Sequence, residues 1–227
     1  FAGAIADQTQ AIAINPAYSN AYNDRGMVYY RQNNYTAALN DYNAAIKNDP
    51  AYFLAYKNRA TVQVALKNYT AADNDYTKCI ELKPEDADGY LGRGSMKSIQ
   101  NNYAEAISFY DKAIQYEPNN AVTFLNRGNA KYALKDTKGA LPDYIKVSQL
   151  QPNNVNVYFN LGTIYMTQNK SNEAIEAFKK YNSGLPNEWS GYKNTADVYY
   201  SQLKQYDQAE IYYNKAYQIN KSQKDII

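Results

Sequence analysis

Six prolines recur along the chain at intervals of 34 residues, and this period constrains the fold more than any other feature. They stand at Pro16, Pro50, Pro84, Pro118, Pro152 and Pro186. A fixed period of this length is typical of stacked copies of one small unit. Because such a unit cannot bury its apolar face alone, neighbouring units stack and share one continuous core. The period therefore predicts an elongated repeat protein that offers a binding surface rather than a catalytic pocket.

The first complete unit, residues 19–52, has the pattern of two helices joined by a short turn. Apolar and aromatic residues recur at helical spacing in two stretches, and the polar run Gln32–Asn34 separates them. Pro50 ends the second stretch, since proline disfavours helical conformation in the residue before it. Each unit is thus predicted to be a helical hairpin, and the fold class is all-α. Places in a unit are numbered here with Ser19 as place 1.

Small and aromatic residues occupy the same places in every unit. Place 4 is always aromatic, place 8 is glycine or alanine, place 20 is alanine, and place 24 is tyrosine or phenylalanine, with places 20 and 24 reached one residue late in the sixth copy. The small residues let the two helices approach closely while the rings fill the space beside them. This pattern resembles the tetratricopeptide repeat over essentially the whole chain. The resemblance implies a right-handed superhelical solenoid of antiparallel helix hairpins.

The register predicts one solenoid domain, residues 1–227. Its full repeats are residues 19–52, 53–86, 87–120, 121–154, 155–188 and 189–223. Residues 1–18 match the second helix of a repeat whose first helix is missing, and the extra residue of the sixth repeat is predicted in the turn between Gln202 and Gln205. Since solenoids usually carry polar caps, we expect a fragment of a larger protein that self-associates end to end. The apolar residues expected at its open ends are Ile5, Ile12, Ile211 and Ile219.

Composition argues against catalysis and against metal or nucleic-acid binding. Histidine is absent and Cys79 is the single cysteine, which excludes a disulfide framework, a Cys/His zinc site and histidine-dependent catalysis. The formal net charge is only +2, without the basic excess of a nucleic-acid binder. No run of about 18 apolar residues predicts a membrane span. We therefore expect no enzyme, no cofactor and no metal, and a buried packing role for Cys79 at the small place 27.

Charged residues show a second regularity. Three of the four arginines at place 7 are matched by aspartate at place 23 of the same unit, as Arg25–Asp41, Arg59–Asp75 and Arg127–Asp143. Units without the arginine also lack the aspartate. We predict ion pairs between the two helices of these hairpins, worth about 0–1 kcal/mol each if exposed.

The resemblance also implies that the first helices of successive repeats line a concave groove, with ligands touching places 2, 5, 6, 9, 12 and 13. Place 6 carries asparagine in four units, and Asp24 and Gly92 interrupt the row. An asparagine amide can donate to a peptide carbonyl and accept from its N–H. The row is similar to the asparagine ladder of the O-GlcNAc transferase superhelix, although solvated surface amides are the alternative. The predicted ladder comprises Asn58, Asn126, Asn160 and Asn194.

Apolar side chains at the neighbouring groove places are expected to form an exposed strip that contacts a partner. Cover by neighbouring helices is the alternative. The predicted strip, with the lysines beside it, comprises Leu54, Lys57, Leu91, Val122, Leu125, Tyr132, Phe159, Met166 and Lys193. We expect a non-catalytic scaffold that binds an extended or helical protein segment. A regulatory or substrate-recruiting domain of a larger enzyme or assembly is the alternative, and the near-neutral charge disfavours an RNA-binding solenoid.

Overall fold

The computed structural model describes residues 1–224, and they form helices joined by short turns. The elements are α1 (Ala2–Ile14), α2 (Ser19–Arg31), α3 (Tyr35–Asn48), α4 (Phe53–Ala65), α5 (Tyr69–Leu82), α6 (Ala87–Ile99), α7 (Tyr103–Tyr116), α8 (Ala121–Ala133), α9 (Thr137–Leu150), α10 (Val155–Thr167), α11 (Ser171–Gly184), α12 (Trp189–Val198), a π-helical turn (Tyr199–Leu203) and α13 (Tyr206–Lys224). The predicted all-α class is confirmed.

Contacts between helices group the chain into two compact units, Phe1–Pro118 and Asn119–Ile227. In the first unit α2 pairs with α3, α4 with α5 and α6 with α7, while α1, α3 and α5 each also pack on the following first helix. The second unit pairs α8 with α9, α10 with α11 and α12 with α13, and α9 and α11 pack on α10 and α12. The predicted architecture of successive helix hairpins is confirmed. The predicted bounds of the repeats and of the single domain stay a prediction. The last residues of that domain, 225–227, lie outside the described part of the chain.

The turn inside each hairpin contains one residue with a left-handed backbone. These residues are Asn33, Lys67, Asn101, Lys135, Asn169 and Lys204, all with φ between 56° and 65°. In the first five hairpins the next N–H donates to the carbonyl five residues back, as from Asn34 to Tyr29, which satisfies a carbonyl at the helix end. In the sixth hairpin Gln205 donates to Tyr199, six residues back. The extra residue of the sixth repeat therefore widens the end of α12 into the π turn, which begins three residues before the predicted stretch Gln202–Gln205 and overlaps its first two residues.

Close approach of the two helices depends on place 8. In four hairpins this place is glycine, and the aromatic ring at place 24 lies directly on it. A Cβ atom added to Gly26 would lie 2.7 Å from the Tyr42 ring, and one added to Gly128 would lie 2.9 Å from the Tyr144 ring. Real Cβ atoms do not come so close, so an alanine here would force the ring to move.

The predicted arginine–aspartate pairs are confirmed, but they are not surface pairs. Arg59 donates from Nε and Nη2 to the two carboxylate oxygens of Asp75 at 2.9 and 2.6 Å, and Asp75 is only 4% exposed. The guanidinium also lies 5.5 Å from the centroid of the Tyr56 ring, and its Nη1 donates to Asn43 of the preceding hairpin. The bond to Asp75 raises the pKa of Arg59. Each such arginine thus ties two helices of its own hairpin together and, in this case, reaches the preceding hairpin.

Arg93 lacks an aspartate at place 23 and finds a different partner. Its guanidinium lies 4.7 Å from the centroid of the Phe109 ring, which occupies that place, and Nε donates to Asp73 on α5 at 2.6 Å. Asp73 is half-buried rather than buried. This pair therefore serves as a natural comparison for the buried ones.

Substitution of Arg59 should be far more destabilising than substitution of Arg93. Arg59→Met leaves the buried Asp75 carboxylate without its charged partner, so we expect the free energy of unfolding to fall by about 3–5 kcal/mol. Arg93→Met leaves the more accessible Asp73, and the expected loss is about 0–1 kcal/mol. Urea unfolding followed by circular dichroism measures both. Equal losses for the two variants would contradict the assignment of a buried pair to Arg59.

Two buried polar side chains among the described residues of the second unit, those of Thr123 and Asn182, have no hydrogen-bond partner. Asn182 on α11 is 5% exposed, and neither its Nδ2 nor its Oδ1 makes a hydrogen bond among the described residues. It occupies place 28, where the first three units carry isoleucine, and it lies against Gly191 of α12. In the first unit Ile80 lies in the same way against Gly89. The packing of α11 on α12 therefore contains an unsatisfied amide at a position that accommodates isoleucine elsewhere.

Replacing Asn182 with isoleucine should stabilise the protein. Asn182→Ile removes the cost of a buried unpaired amide and reproduces the combination of Ile80 and Gly89, so we expect the free energy of unfolding to rise by about 1–3 kcal/mol. The reciprocal variant Ile80→Asn should lower it by a similar amount. Urea denaturation of the three proteins gives the comparison, and a destabilised Asn182→Ile variant would refute this explanation.

Candidate protein-binding site

The described residues contain no arrangement typical of a metal centre or a membrane span. No group of three or more Cys, Asp or Glu side chains among them could hold a metal ion, and none of the described helices is long and apolar enough to cross a bilayer. Cys79 is fully buried, as predicted, and its thiol lies 3.8 Å from the Phe53 carbonyl oxygen. The surfaces built by the first helices of the hairpins are the candidate sites, and each is here called the first-helix face of its unit.

In the first unit, α4 contacts both α2 and α6, and the three helices form the first-helix face. The amide of Asn58 on α4 is half-buried and donates to Oδ1 of the buried Asn23 at 2.8 Å, and Asn23 in turn donates to Asp24. Lys57 is paired with Asp88 of α6 at 2.6 Å. Both predicted site residues thus join neighbouring first helices. A ligand would have to compete for these groups.

Gly92, which interrupts the asparagine row, has a packing explanation. Place 8 of the same hairpin as Tyr76 is Ala60, so the Tyr76 ring has no glycine beneath it in its own hairpin. The ring instead lies against Gly92 of α6, in the space that a Cβ atom there would occupy. A larger residue at this place would displace the ring. The gap in the row follows from the shape of the neighbouring repeat.

In the second unit the row is different because two of its amides are unpaired. Asn160 on α10 and Asn194 on α12 are half-buried, and neither side chain makes a hydrogen bond to any described residue. The two helices are in contact, so the amides belong to adjacent first helices one repeat apart. Asn126 on α8 is also half-buried. Two partly desolvated amides thus retain their full donor and acceptor capacity.

The predicted apolar strip is only partly exposed. Leu54, Val122 and Tyr132 are exposed, whereas Leu91, Leu125, Phe159 and Met166 are half-buried. The expectation that Leu91, Leu125 and Phe159 are exposed is wrong. For Phe159 the reason is Tyr181 on α11, whose ring centroid lies 5.0 Å away, together with the Phe178 ring at 5.9 Å. Leu125 packs on the core around Tyr144.

The open-end residues also differ from expectation. Ile5, Ile12 and Ile219 are half-buried, and Ile211 is 58% exposed. However, Ile211 occupies place 22, which is exposed in every other hairpin, including those followed by a further repeat. Its exposure therefore does not result from a missing neighbour, and the explanation from an uncovered end is wrong for this residue.

Sequence reasoning missed a pocket of about 420 Å³ where the end of α10 meets the π turn. Its lining includes Met166, Asp197, Tyr200, Gln202 and Tyr213. Met166 and Asp197 stand at groove places 12 and 9 of their repeats, whereas Tyr200, Gln202 and Tyr213 have no predicted role in the site. Two signals were present in the sequence: the extra residue of the sixth repeat, and alanine instead of glycine at place 8, Ala196.

Family models match the repeats directly. Models described as tetratricopeptide repeat match residues 19–52, 55–86, 87–120 and 196–223, and a model described as TPR repeat matches residues 128–169. Together these matches cover most of the chain. The chain belongs to the tetratricopeptide repeat family. No curated protein sequence matches it significantly.

Solved structures share the fold at low sequence identity. PilF of Pseudomonas aeruginosa is 20% identical with a TM-score of 0.75, over 86% of this chain and 88% of PilF. MamA is 19% identical with a TM-score of 0.70, over 76% of this chain and 94% of MamA. YrrB, described as a TPR protein with an unusual peptide-binding site, is 20% identical with a TM-score of 0.62, over 79% of this chain and 92% of YrrB. These likenesses establish the fold.

Cys79 should be inert in the folded protein. Burial raises the pKa of its thiol to about 12, against about 8.5 in an unfolded chain. Because the pKa is higher in the folded protein, the buried neutral thiol contributes to the stability of the fold. This contribution is complete below about pH 8.5 and is lost as the pH rises toward 12. We expect Ellman's reagent at pH 8 to leave the native thiol unreacted and to titrate it in urea, with Cys79→Ala as the blank. Rapid modification of the native protein would contradict this assignment.

Proposed function

We propose that the protein is a non-catalytic scaffold that binds an extended or helical segment of a partner protein on the first-helix face of its hairpins. The observation that carries this proposal is the pair of unpaired, half-buried amides of Asn160 and Asn194 on adjacent first helices. A half-buried amide without a partner has already lost part of its hydration, so a peptide group that fills its donor and acceptor sites gains affinity. Two such groups one repeat apart fit the main chain of a bound segment.

Apolar residues on the first helices of the second unit supply the contact area. Val122 and Tyr132 on α8 are exposed, while Leu125, Phe159 and Met166 are half-buried and held by the core beneath them. Rigid, partly covered side chains lose little conformational entropy on binding. In this proposal the amides hold the main chain of the segment and the apolar residues select its side chains.

In the first unit the same face supplies Leu54, Lys57, Asn58 and Leu91. Because Lys57 and Asn58 are engaged with Asp88 and Asn23, binding there exchanges existing bonds for new ones. We therefore place the stronger contribution on the second unit. YrrB supports this general mode, since a protein of the same fold is described by its peptide-binding site.

The double variant Asn160→Ala, Asn194→Ala should bind peptides more weakly. Peptides selected from a random library on the wild-type protein serve as probes, and we expect calorimetry to show a loss of about 1–3 kcal/mol. N-methylation of the peptide nitrogens that meet the two amides should cause a similar loss, because it removes the main-chain donors.

Asn172→Ala is the matched control, since Asn172 is an exposed asparagine on α11. It should leave the affinity unchanged, and the thermal unfolding of all variants should stay close to wild type. Wild-type affinity in the folded double variant would refute the ladder.

A further inference from the structure

The tyrosine at place 24 of the sixth hairpin does not occupy the buried position of its equivalents. Tyr42, Tyr76, Tyr110, Tyr144 and Phe178 are all buried, whereas Tyr213 is 36% exposed. Ala196 at place 8 removes the glycine on which the ring lies in four other hairpins. The Tyr213 hydroxyl instead donates to Oδ1 of Asp197 at 2.7 Å. A ring and a carboxylate are thus brought together at the surface.

The π turn completes a pocket around this pair. Gln202 donates from Nε2 to the Met166 carbonyl at 2.7 Å, and its Oε1 accepts from the Ser171 hydroxyl at 2.7 Å. These bonds hold the π turn against the end of the preceding hairpin. Tyr200, within the turn, is exposed and is the second tyrosine of the pocket lining. A single inserted residue therefore builds a feature that the described regular repeats do not share.

The chemistry of the pocket favours a cation with an apolar stem. Asp197 is the charged residue in its lining, and each of its oxygens accepts one bond, from Tyr213 and from Lys193 at 2.7 Å. A carboxylate offers about four acceptor positions, so capacity remains. Lys193 is 48% exposed in its side chain, and an exposed i,i+4 pair of this kind is readily exchanged. Met166 and the tyrosine rings provide the apolar walls.

The chain itself shows which side chain fits a carboxylate next to an aromatic ring. All four arginines at place 7 combine an aspartate with a ring: Arg25 with Asp41 and Tyr22, Arg59 with Asp75 and Tyr56, Arg93 with Asp73 and Phe109, and Arg127 with Asp143 and Phe124. In the sixth hairpin place 7 is the buried Thr195. The pocket presents Asp197, Tyr200 and Tyr213 to the outside without an arginine of its own.

We propose that this pocket binds an arginine side chain of the partner segment, with the guanidinium on Asp197, its face against Tyr200 or Tyr213 and its methylene stem along Met166. The proposal rests on the peptide-binding function of the first-helix face, because Met166 and Asp197 occupy groove places beside Asn160 and Asn194. It defines the partner as a segment with an arginine at one end of the stretch held by the two amides.

The methionine methyl groups provide a direct test with internal controls. The chain has three methionines, and only Met166 lines the pocket, while Met27 and Met96 lie in the first unit. In protein labelled with 13C-methyl methionine, N-acetyl-arginine amide should shift the Met166 signal in a saturable manner and leave the other two unchanged. N-acetyl-citrulline amide, a neutral molecule of nearly the same shape, should bind at least about tenfold more weakly. Equal binding of the two probes, or no shift of Met166, would overturn the proposal.

Variants separate the contributions and should act in opposite directions. Asp197→Asn should lower the affinity for the arginine probe by at least about tenfold, and Tyr200→Leu should lower it by about two- to fivefold. Lys193→Gln should raise the affinity for the arginine probe, since it removes the lysine that competes for Asp197. Circular dichroism and thermal unfolding close to wild type report that each variant is folded. An affinity that does not respond to Asp197→Asn in a folded protein, or one that falls in Lys193→Gln, would refute the pocket.

The same titration distinguishes this proposal from the ladder. The double variant Asn160→Ala, Asn194→Ala should still bind the arginine probe, because neither amide belongs to the lining of the pocket. If the probe binds, but library peptides bind the double variant with wild-type affinity, the ladder proposal fails and the pocket proposal stands. If peptides depend on the amides but neither carry arginine nor lose affinity when their arginine is replaced by citrulline, the pocket proposal fails and the scaffold function stands.

Discussion

The aromatic ring at place 24 lying on a glycine at place 8 is the contact on which the hairpins depend. It sets the distance between the two helices, since a Cβ atom at Gly26 or Gly128 would fall within 3 Å of the ring. Interiors packed this closely do not absorb an added methyl group without a rearrangement. The two hairpins with alanine at place 8 show the rearrangement that follows. With glycine at place 8, the ring packs on the first helix of its own hairpin. With alanine there, the ring contacts other residues.

The two displaced rings have opposite consequences for binding. Tyr76, beside Ala60, turns to the next repeat and occupies the space above Gly92, so an amide is lost from the row and the repeats are locked together. Tyr213, beside Ala196, turns to Asp197 and stays partly exposed. The same exchange of glycine for alanine thus accompanies a closed surface in one unit and, together with the π turn, an open pocket in the other. What differs is the neighbour that the ring meets.

Much of this fold follows from the sequence because the determining contacts lie at fixed separations within one repeat. The period gives the hairpins, and the matched places 7 and 23 give the pairs of Arg25, Arg59 and Arg127. The exposed fraction of the groove side chains cannot be predicted from the sequence in this way, because it depends on side chains of other helices. Phe159 is covered by Tyr181, which stands where most units have a small residue, and Asn58 is engaged by Asn23 of the preceding repeat. Such contacts between unequal copies leave no periodic signal.

The irregular features gather in the last two hairpins, and there is a physical reason to associate them with binding. Three of the first four hairpins satisfy a buried aspartate through the same bonds from an arginine. The fifth and sixth hairpins instead leave the amides of Asn160 and Asn194 unpaired, bury that of Asn182 without a partner, and widen α12 into a π turn. Each departure costs stability, and departures of this kind concentrate where a surface serves a ligand rather than the fold. The unpaired amides lie on α10 and α12, and the pocket includes Met166 of α10 and Asp197 of α12, so one bound segment can satisfy both at once.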